Sequence, residues 1–426
     1  MIVNLPRVKV SDLCELIVDC VNKTAPCVEY RTPFKMIRTP NIKNGVVSLD
    51  GCRNVTQAIY EKWTRRSTVD KGDVLLTREA PMGEVGLVNF KDTIFLGQRI
   101  MQYRANPKKL DSNYLLYAFL SPDLQYQFRC HDSTGSIVSH IKVPDCSEFE
   151  ISLPALPKQK KISKVLRDLD EKIELNNKIN GELEKMAKTL YDYWFVQFDF
   201  PNENGKPYKS SGGKMVFNEK LKREIPDGWE VNELGNEVKI QRGISYKSSD
   251  IKGGGIPMIN LNSFNLDGTY KAEGIKMFSG KYADKNIISE GDLLIAATDV
   301  TRNADIIGKA ILIPDFYTDL VISMDIAKVI PSNNLSETYL MLLFNTEHYH
   351  NYIKWFASGT IVLHLIMDGM KWHKVEMPPK KLLDEFDKIY KPIAKRISET
   401  TKQNQKLSEL RDWLLPMLMN GQVEVM

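Results

Sequence analysis

Residues Lys158–Phe195 read KQKKISKVLRDLDEKIELNNKINGELEKMAKTLYDYWF. Mostly apolar residues recur in this stretch at alternating steps of four and three, beginning with Ile162 and Leu166. Adding 224 to each number of this series gives a second series in the same register, which begins with Phe386 and Tyr390. Such heptad spacing predicts a long helix that packs against another helix. The simplest partner for the first helix is therefore the second one.

The repeated spacing also predicts which residues form the seam between the two helices. We expect Ile173, Asn180, Leu183, Leu190, Ile397, Asn404, Leu407 and Leu414 on this seam. A polar residue at such a position can fix register and orientation, although a solvated edge position for the two asparagines stays open. Pro392 removes a backbone donor, so we expect a kink or break near residues 388–392. Pro416 is expected to end the regular part of the second helix.

The region before each helix is repeated as well. The segment Gly72–Leu76 (GDVLL) returns as Gly291–Ile295 (GDLLI), at an offset of 219. The segment Gly135–His140 (GSIVSH) returns as Gly359–His364 (GTIVLH), at an offset of 224. The offset drifts and then holds constant, which indicates a duplicated module whose copies differ by small loop insertions. The loops that follow the Gly-Asp strands differ between the copies, as expected of sites that recognise different targets.

The duplication divides the chain into five segments. They are a head (1–153), a helical region (154–198), a linker rich in Gly, Lys, Ser and Asn (199–227), a second head (228–377) and a second helical region (378–421). Short β-rich runs separated by turn residues, with a helix expected over 112–128 and Ser112 as its cap, predict mixed α and β heads. The fold class is therefore α+β, with two homologous mixed α/β heads and two long helices in a coiled coil. Antiparallel pairing leaves the linker only a local gap to cross, and it would relate the heads by a pseudo-two-fold axis.

The bulk composition suits a globular chain of two or three domains. The 426 residues are 42% hydrophobic and 26% charged, and the net charge of +4 permits an acidic partner without demanding one. Six cysteines lie in the first 146 residues without a CxxC pair. The segment Met1–Lys9 lacks the apolar core of a signal peptide, and no apolar run of about 18 residues suits a membrane helix. We therefore expect a cytoplasmic protein with free thiols and no membrane partner.

A search for catalytic motifs yields one weak candidate. The chain lacks a GxxxxGK[ST] phosphate loop and a GxGxxG dinucleotide motif, and His348-x-His350 has no neighbouring ligands. We expect no cofactor, no metal and no catalytic residue. The alternative is a divalent-metal-dependent nuclease, since Asp227, Glu237 and Lys239 follow a PD…ExK arrangement. Short patterns of this kind arise by chance in most chains of this length.

The chain resembles the specificity (S) subunit of type I restriction–modification systems over essentially its whole length. The resemblance rests on residues 153–159 (LPALPKQ), 180–187 (NGELEKMA) followed by 193–196 (YWFV), 226–231 (PDGWEV) and 407–416 (LSELRDWLLP). It implies two target-recognition domains that each read half of a split DNA sequence, and a helical spacer. It also implies two methyltransferase (M) subunits, which would bind S-adenosylmethionine, and motor-nuclease (R) subunits for cleavage. The S subunit itself would be non-catalytic.

DNA reading needs cations for phosphates, and polar side chains or arginine at base edges. In the first copy we favour Arg38, Lys62, Arg65, Arg66, Arg78, Ser136 and His140. In the second copy we favour Asn260, Asn262, Lys281, Thr301, Arg302, Thr360 and His364. A buried structural role stays open for the two histidines, and a scaffold whose heads bind proteins is the remaining rival. Heads at opposite ends of an antiparallel pair would suit half-sites about one duplex turn (~34 Å) apart.

Overall fold

The computed structural model describes residues 5–130, 139–251, 253–315 and 319–425. The chain forms two compact units, the first from residues 1–174 and 405–426 and the second from residues 175–404. Each unit contains one head and a part of both long helices. The five segments predicted from the sequence are therefore not separate structural units. Each head forms one unit with the portion of the helix pair on which it packs.

Unit 1 is a mixed α/β body. Its strands are β1 (Arg7–Lys9), β2 (Cys14–Asp19), β3 (Lys35–Ile37), β4 (Ile42–Lys43), β5 (Gly45–Val47), β6 (Arg53–Asn54), β7 (Val74–Thr77), β8 (Val85–Leu87), β9 (Ile94–Leu96), β10 (Ile100–Ala105) and β11 (Glu150–Ser152). Its helices are α1 (Gln57–Trp63), α2 (Ser112–Leu120), α3 (Pro122–Cys130), the first part of α4 (Leu156–Tyr191) and the last part of α9 (Lys380–Met419). The strands form sheets in the orders β2-β10-β7-β8-β5-β4, β6-β3-β9 and β1-β11. The apolar strand β7 is buried throughout, as its central place in the largest sheet requires.

Unit 2 repeats this plan. Its strands are β12 (Met215–Asn218), β13 (Arg223–Pro226), β14 (Glu230–Glu233), β15 (Val238–Arg242), β16 (Ile256–Ile259), β17 (Lys276–Phe278), β18 (Ile287–Ile288), β19 (Leu293–Ala296), β20 (Thr298–Asp299), β21 (Ala310–Leu312), β22 (Leu320–Ile322), β23 (Ile326–Pro331), β24 (Ala357–Ser358), β25 (Leu363–Leu365) and β26 (Lys374–Met377). Its helices are α5 (Leu234–Glu237), α6 (Glu337–Phe344), α7 (Glu347–Ile353), α8 (Met367–Lys371), the remainder of α4 and most of α9 (Lys380–Met419). The sheet β15-β23-β19-β21 corresponds to β2-β10-β7-β8, and the parallel pair β16–β22 corresponds to β3–β9. The predicted internal repeat and α+β fold class are confirmed.

An ion pair is reproduced at the start of the central strand of each unit. Asp73 accepts hydrogen bonds from Arg104 Nε at 2.8 Å and from the Asp70 amide. In unit 2, Lys328 Nζ lies 2.6 Å from the Asp292 carboxylate. The repeated Gly-Asp motif therefore ties the strand start to the neighbouring strand, which is a structural role.

Each head joins the long helix of its own unit through a capping residue. Asp111, rather than the predicted Ser112, caps α2 and accepts a hydrogen bond from Ser163 Oγ on α4 at 2.9 Å. In unit 2, Ser336 caps α6 and its hydroxyl donates to Asp387 on α9 at 3.3 Å. The acid and the hydroxyl have exchanged places between the copies. The helix expected over 112–128 is in fact two helices, because Ser121 is extended before Pro122 opens α3.

The predicted linker is a folded part of unit 2. Within residues 199–227, strands β12 and β13 form an antiparallel hairpin. Phe200 stacks on Tyr208 and Trp229, with ring centroids 4.7 Å and 5.5 Å apart. The aromatic end of the first long helix, Trp194 and Phe195, is buried in the same core. The polar composition of the linker concealed this packing, because a few aromatic residues suffice to anchor it.

The long helices pair antiparallel within each unit. In unit 1, Ile162 and Leu166 of α4 share a core with Leu415 and Leu418 of α9. Arg411 Nη1 donates to Asp170 Oδ1 at 2.8 Å, one turn further along α4 and one turn back along α9. The predicted coiled-coil pairing of the two helices is confirmed.

The seam in unit 2 is polar in its middle. Asn176 is 1% exposed, and its Nδ2 donates to Asn404 Oδ1 at 2.8 Å and to Gln403 at 2.9 Å. Asn180 Nδ2 donates to Thr401, and the hydroxyl of Thr400 donates to Asn180. Asn180 and Asn404 thus bond across the pair but to different partners, as antiparallel packing demands. The other six predicted seam residues are half-buried: Ile173, Leu183, Leu190, Ile397, Leu407 and Leu414.

Helix α9 contains no break at Pro392 and extends three residues beyond Pro416. The expected break is wrong because Pro392 and the neighbouring Lys388 are exposed. Water can therefore hydrogen-bond the carbonyl that the proline leaves without a donor. Among the described residues, the structure contains no helix long and apolar enough to cross a membrane.

Candidate nucleic-acid interface

One strand contact occurs at the same place in both heads. In unit 1, Glu79 forms an antiparallel bridge with His140. In unit 2, Thr298 of β20 pairs with His364 of β25. Thr298 lies 219 residues after Glu79, and His364 lies 224 residues after His140. These are the two offsets found in the sequence, so the two contacts are equivalent in the duplicated modules. The Gly-Asp strand and the Gly-Ser/Thr…His segment are therefore neighbours in each head.

In unit 2 this contact belongs to a three-stranded sheet in the order β20-β25-β24, which we call the small sheet. Asp299 ends β20 and pairs with Leu363, the first residue of β25. Antiparallel pairing therefore brings residues 300–303 and 359–362 to the same end of the small sheet, which we call the loop end. Three predicted contact residues lie on these loops, namely Thr301, Arg302 and Thr360.

The predicted residues of the small sheet differ in accessibility. Arg302, Thr360 and His364 are exposed, so the structure does not support a buried role for His364. Thr301 is half-buried, and its Oγ accepts from the Asp305 amide at 2.9 Å. The charged and polar groups that can reach a ligand here are thus mainly Arg302, Thr360 and His364.

The turn at residues 359–362 requires glycine. Gly359 has a φ of +136°, and a Cβ atom on it would lie 2.1 Å from the Val362 carbonyl oxygen. A tight turn at this place therefore needs a residue without a Cβ atom. Its counterpart Gly135 and the predicted contact Ser136 lie outside the described residues.

Asp299 holds the loop end in place, and sequence reasoning missed it. The residue is fully buried, and its carboxylate accepts hydrogen bonds from three backbone amides. The donors are Thr301 N at 2.6 Å, Ile306 N at 2.7 Å and Ile307 N at 3.1 Å. A buried carboxylate with several charge-assisted bonds orders the segment that donates to it. Asp side chains often accept from the backbone amide two residues further on, and this turn preference of Asp could have indicated the role.

In unit 1, Arg78 directly precedes Glu79, the residue that forms the bridge with His140. Its Nη1 donates to the Ile141 carbonyl at 3.1 Å, and its backbone oxygen accepts from the Ile141 amide. The side chain is half-buried, and its Nε has no hydrogen-bond partner within the described part of the chain. His140 is half-buried beside it. The structure therefore brings Arg78 and His140 together, with Arg78 supporting the bridge.

Arg38 and Asn260 occupy equivalent places after the parallel strands β3 and β16. Arg38 Nη2 donates to the Gly51 carbonyl at 3.1 Å, and Asn260 Nδ2 donates to the Gly274 carbonyl at 2.6 Å. Asn260 is only 4% exposed and also accepts from the Asn262 amide. Both polar atoms of this buried side chain are occupied within the head, so the structure gives no support to the predicted DNA contact at Asn260. Arg38 is half-buried with one internal partner.

The remaining predicted cations lie on the surfaces of the two heads. In unit 1, Lys62 and Arg65 are exposed at the end of α1, and Arg66 forms an ion pair with Asp19. Lys62 Nζ lies 5.5 Å from the centre of the Trp63 ring. In unit 2, Asn262 is exposed on a short 3-10 helix that follows β16, and Lys281 is exposed on the loop that follows β17. The strand pairing of the small sheet does not bring Asn262 or Lys281 to the loop end.

The nuclease-like residues do not form a metal site. Asp227 pairs with Lys214 at 2.9 Å, whereas Glu237 accepts from Ser332 Oγ at 2.6 Å and from Asn232 at 2.9 Å. The hydrogen bond from Ser332 lowers the pKa of Glu237, as expected for an anchored carboxylate. The described residues contain no cluster of three or more His, Cys, Asp or Glu side chains that could hold a metal ion. These contacts explain the acidic residues as structural.

Two buried histidines in unit 2 are held neutral. Burial lowers the pKa of His350 to about 4, and the nearby Lys309 and Lys354 add to this effect. Burial also lowers the pKa of His373 to about 4. His350 Nδ1 is buried without a hydrogen-bond partner among the described residues. These side chains are parts of the core and not ligands.

Comparison with known proteins identifies relatives along most of the chain. The family model for the type I restriction modification DNA specificity domain matches residues 6–185 and again residues 226–410. The type I restriction enzyme MjaIX specificity subunit of Methanocaldococcus jannaschii is 27% identical over 387 residues, which cover 88% of this chain and 83% of that protein. The HindI specificity subunit of Haemophilus influenzae is 24% identical over 412 residues, covering 84% and 88%.

A solved structure shows the same fold. The type-I restriction-modification system S subunit from M. genitalium superposes with a TM-score of 0.56 at 17% identity, covering 98% of this chain and 96% of that one. The two matches to the family model coincide with the two head-and-helix modules found in the sequence. The predicted assignment to a targeting subunit, and not to an enzyme, is confirmed by the family. The chain belongs to the family of type I restriction modification DNA specificity domains.

Proposed function

We propose that each head reads one half of a bipartite sequence in double-stranded DNA and that the helices set the distance between the halves. The observation that carries this proposal is the repeated bridge, Glu79 with His140 and Thr298 with His364, which holds different loops on one scaffold. A shared scaffold with unlike loops suits two readers of the same kind that recognise different sequences. The relatives are specificity subunits by name, which agrees with this division of labour.

The loop end of unit 2, together with His364 on the adjoining strand β25, supplies suitable chemistry. Arg302 can donate two hydrogen bonds to a guanine edge or to a phosphate, while Thr360 and His364 can bond to bases as donors or acceptors. All three side chains are exposed. In unit 1, Lys62 and Arg65 are exposed cations suited to phosphates. Contacts to phosphate position the protein, whereas the loop end would specify the sequence.

The outer faces of the long helices carry exposed apolar residues. In unit 1, Leu410 and Trp413 of α9 are 43% and 56% exposed. In unit 2, Leu175 and Met186 of α4 are 50% and 59% exposed, and Ile389 of α9 is 45% exposed. Exposed apolar residues on a helix pair suit the docking of further helices. Two methyltransferase subunits would dock here and bind S-adenosylmethionine, and motor-nuclease subunits would add cleavage.

Methylome sequencing of cells with and without the gene tests this function. We expect one split sequence motif to lose its methylation on deletion and to regain it on complementation. An unchanged methylome in a strain that expresses the methyltransferase subunits would contradict the proposal.

Binding measurements with purified protein separate DNA reading from protein scaffolding. The chain with its methyltransferase subunits should bind a duplex that carries the motif, and affinity should fall steeply as salt rises, because each neutralised phosphate releases counterions. The variant pair Lys62→Ala and Arg65→Ala should reduce the salt slope while the order of preference among sequences is kept. Binding that is absent, or independent of salt, would favour a protein-binding scaffold.

A further inference from the structure

The loop end of unit 2 presents aliphatic side chains to solvent. Ile361 is 84% exposed, more than any other large aliphatic side chain in the described part of the chain. Val300 is 64% exposed and Val362 is 38% exposed. The pairing of Asp299 with Leu363 brings all three to one end of the small sheet. We call these three residues the aliphatic tip.

The backbone beneath the aliphatic tip is firmly held. The Leu365 amide donates to Ala297 at 2.9 Å, and Leu365 is 3% exposed in the core of unit 2. Asp299 fixes the loop of Val300 through three amides, and Gly359 permits the tight turn before Ile361. The aliphatic side chains are therefore exposed by a rigid support, which lowers the entropy that binding would cost.

The neighbours of the aliphatic tip indicate its ligand. Arg302 and Thr360 are exposed on the same two loops, and both are base-edge or phosphate donors in the proposed function. The major groove of DNA displays one apolar group among polar edges, the C5-methyl of thymine. An aliphatic surface flanked by hydrogen-bonding side chains complements that groove at a thymine.

We infer that the aliphatic tip, through Ile361 and Val300, contacts the methyl group of a thymine in the half-site read by unit 2. This inference rests on the proposed function and adds a chemical feature of the target. Hydrogen bonds from Arg302 and Thr360 would read neighbouring positions. Burying one methyl group between such side chains favours thymine over uracil by roughly threefold to tenfold in affinity.

The test replaces each thymidine of the target by deoxyuridine, one at a time. The probe is a fluorescent duplex that carries the split motif found by methylome sequencing. The protein is the full chain with its methyltransferase subunits, and affinity is measured by fluorescence anisotropy. We expect one position at which deoxyuridine weakens wild-type binding by roughly threefold to tenfold.

Variants then connect that methyl group to the aliphatic tip. In Ile361→Ala the difference between thymidine and deoxyuridine at this position should fall to less than about twofold, and Val300→Ala should reduce it in part. Leu266→Ala is the matched control, since Leu266 is 65% exposed in unit 2 but lies on another loop. This control should keep the full difference. Ile361 is exposed, so its replacement should leave the thermal unfolding of the chain unchanged.

Three outcomes would overturn the inference. The first is a target without any position sensitive to deoxyuridine, and the second is an unchanged sensitivity in Ile361→Ala. The third is weaker assembly of Ile361→Ala with the methyltransferase subunits in the absence of DNA, which would make the aliphatic tip a protein-docking surface. A chain that binds no duplex at all would instead contradict the proposed function, so the two failures are distinguishable.

Discussion

Asp299→Asn should disorder the loop end of unit 2 and weaken specific DNA binding without unfolding the head. The carboxylate accepts from Thr301 N through Oδ1 and from Ile306 N and Ile307 N through Oδ2. An asparagine offers one oxygen, so its amide nitrogen must face at least one backbone N–H. If the asparagine oxygen keeps the bonds to the amides of Ile306 and Ile307, the bond to the Thr301 amide is lost. The asparagine NH2 group then faces the Thr301 N–H, so that two donors oppose each other.

The size of the effect follows from the burial of this group. A hydrogen bond to a buried charged acceptor contributes about 1.5–3 kcal/mol, and a buried donor left without a partner adds a similar cost. We therefore expect the closed form of the loop to lose about 2–3 kcal/mol. This corresponds to roughly a 30- to 150-fold rise in the local opening constant. Specific affinity should fall in proportion to the fraction of molecules whose loop is closed, and the loss reaches about tenfold when only about one loop in ten is closed.

Hydrogen exchange and DNA binding together measure this effect. Deuterium uptake by mass spectrometry should increase in peptides that cover residues 300–309, while affinity for a duplex without the motif stays unchanged. Asp305→Asn is the matched control, because it removes the same charge from the same loop. Wild-type exchange and wild-type affinity in a folded Asp299→Asn protein would refute the reasoning.

Three further changes test the structure. Asn176→Ala removes the two cross-helix hydrogen bonds to Asn404 and Gln403, so the free energy of unfolding in urea should fall by about 1–3 kcal/mol. An unchanged urea midpoint would contradict the polar seam. Tyr117→Phe removes a hydroxyl that donates to Asp170 at 2.6 Å, and the free energy of unfolding should fall by about 1 kcal/mol. A double-mutant cycle in urea should show a smaller loss when Asp170→Asn is already present. The native state keeps His350 and His373 neutral, with pKa values of about 4 against an ordinary 6.5. The unfolded chain binds more protons between these values, so stability should be full above pH 6.5 and fall as the pH drops towards 4. The drop in the urea midpoint between pH 7 and pH 5 should be about half as large in His350→Gln as in the wild-type protein. An equal drop in the two proteins would contradict the burial of His350 in its neutral form.

The helix pair shows how far periodicity can lead. The heptad spacing and the constant offset predicted two long helices that pack together, since apolar residues on one face of a helix need a partner. The offset could not indicate which asparagine meets which residue. Antiparallel packing brings Asn176 to Asn404 and Asn180 to Thr400, because moving forward along one helix means moving back along the other.

The candidate contact residues show the opposite limit. Residue type alone made Arg38 and Asn260 attractive, yet both side chains donate to equivalent carbonyls within their own heads. Conversely, Asp299 and Ile361 attracted no attention, because an acid and an aliphatic residue are not obvious partners for DNA. Hydrogen bonds show internal contacts of Arg38, Asn260 and Asp299, and strand register brings Ile361 to the loop end. Neither kind of contact is encoded in a short stretch of sequence.

The sequence by itself determined the duplicated plan of this protein: two α+β heads, two paired long helices, and the family to which they belong. It could do so because a repeat and a heptad are periodic patterns that remain visible along the chain. Only the tertiary structure decided that Thr301, Arg302, Thr360 and Ile361 lie at one end of a small sheet. Their proximity depends on the pairing of Asp299 with Leu363 across more than sixty residues, and such a contact is fixed by packing of the whole head.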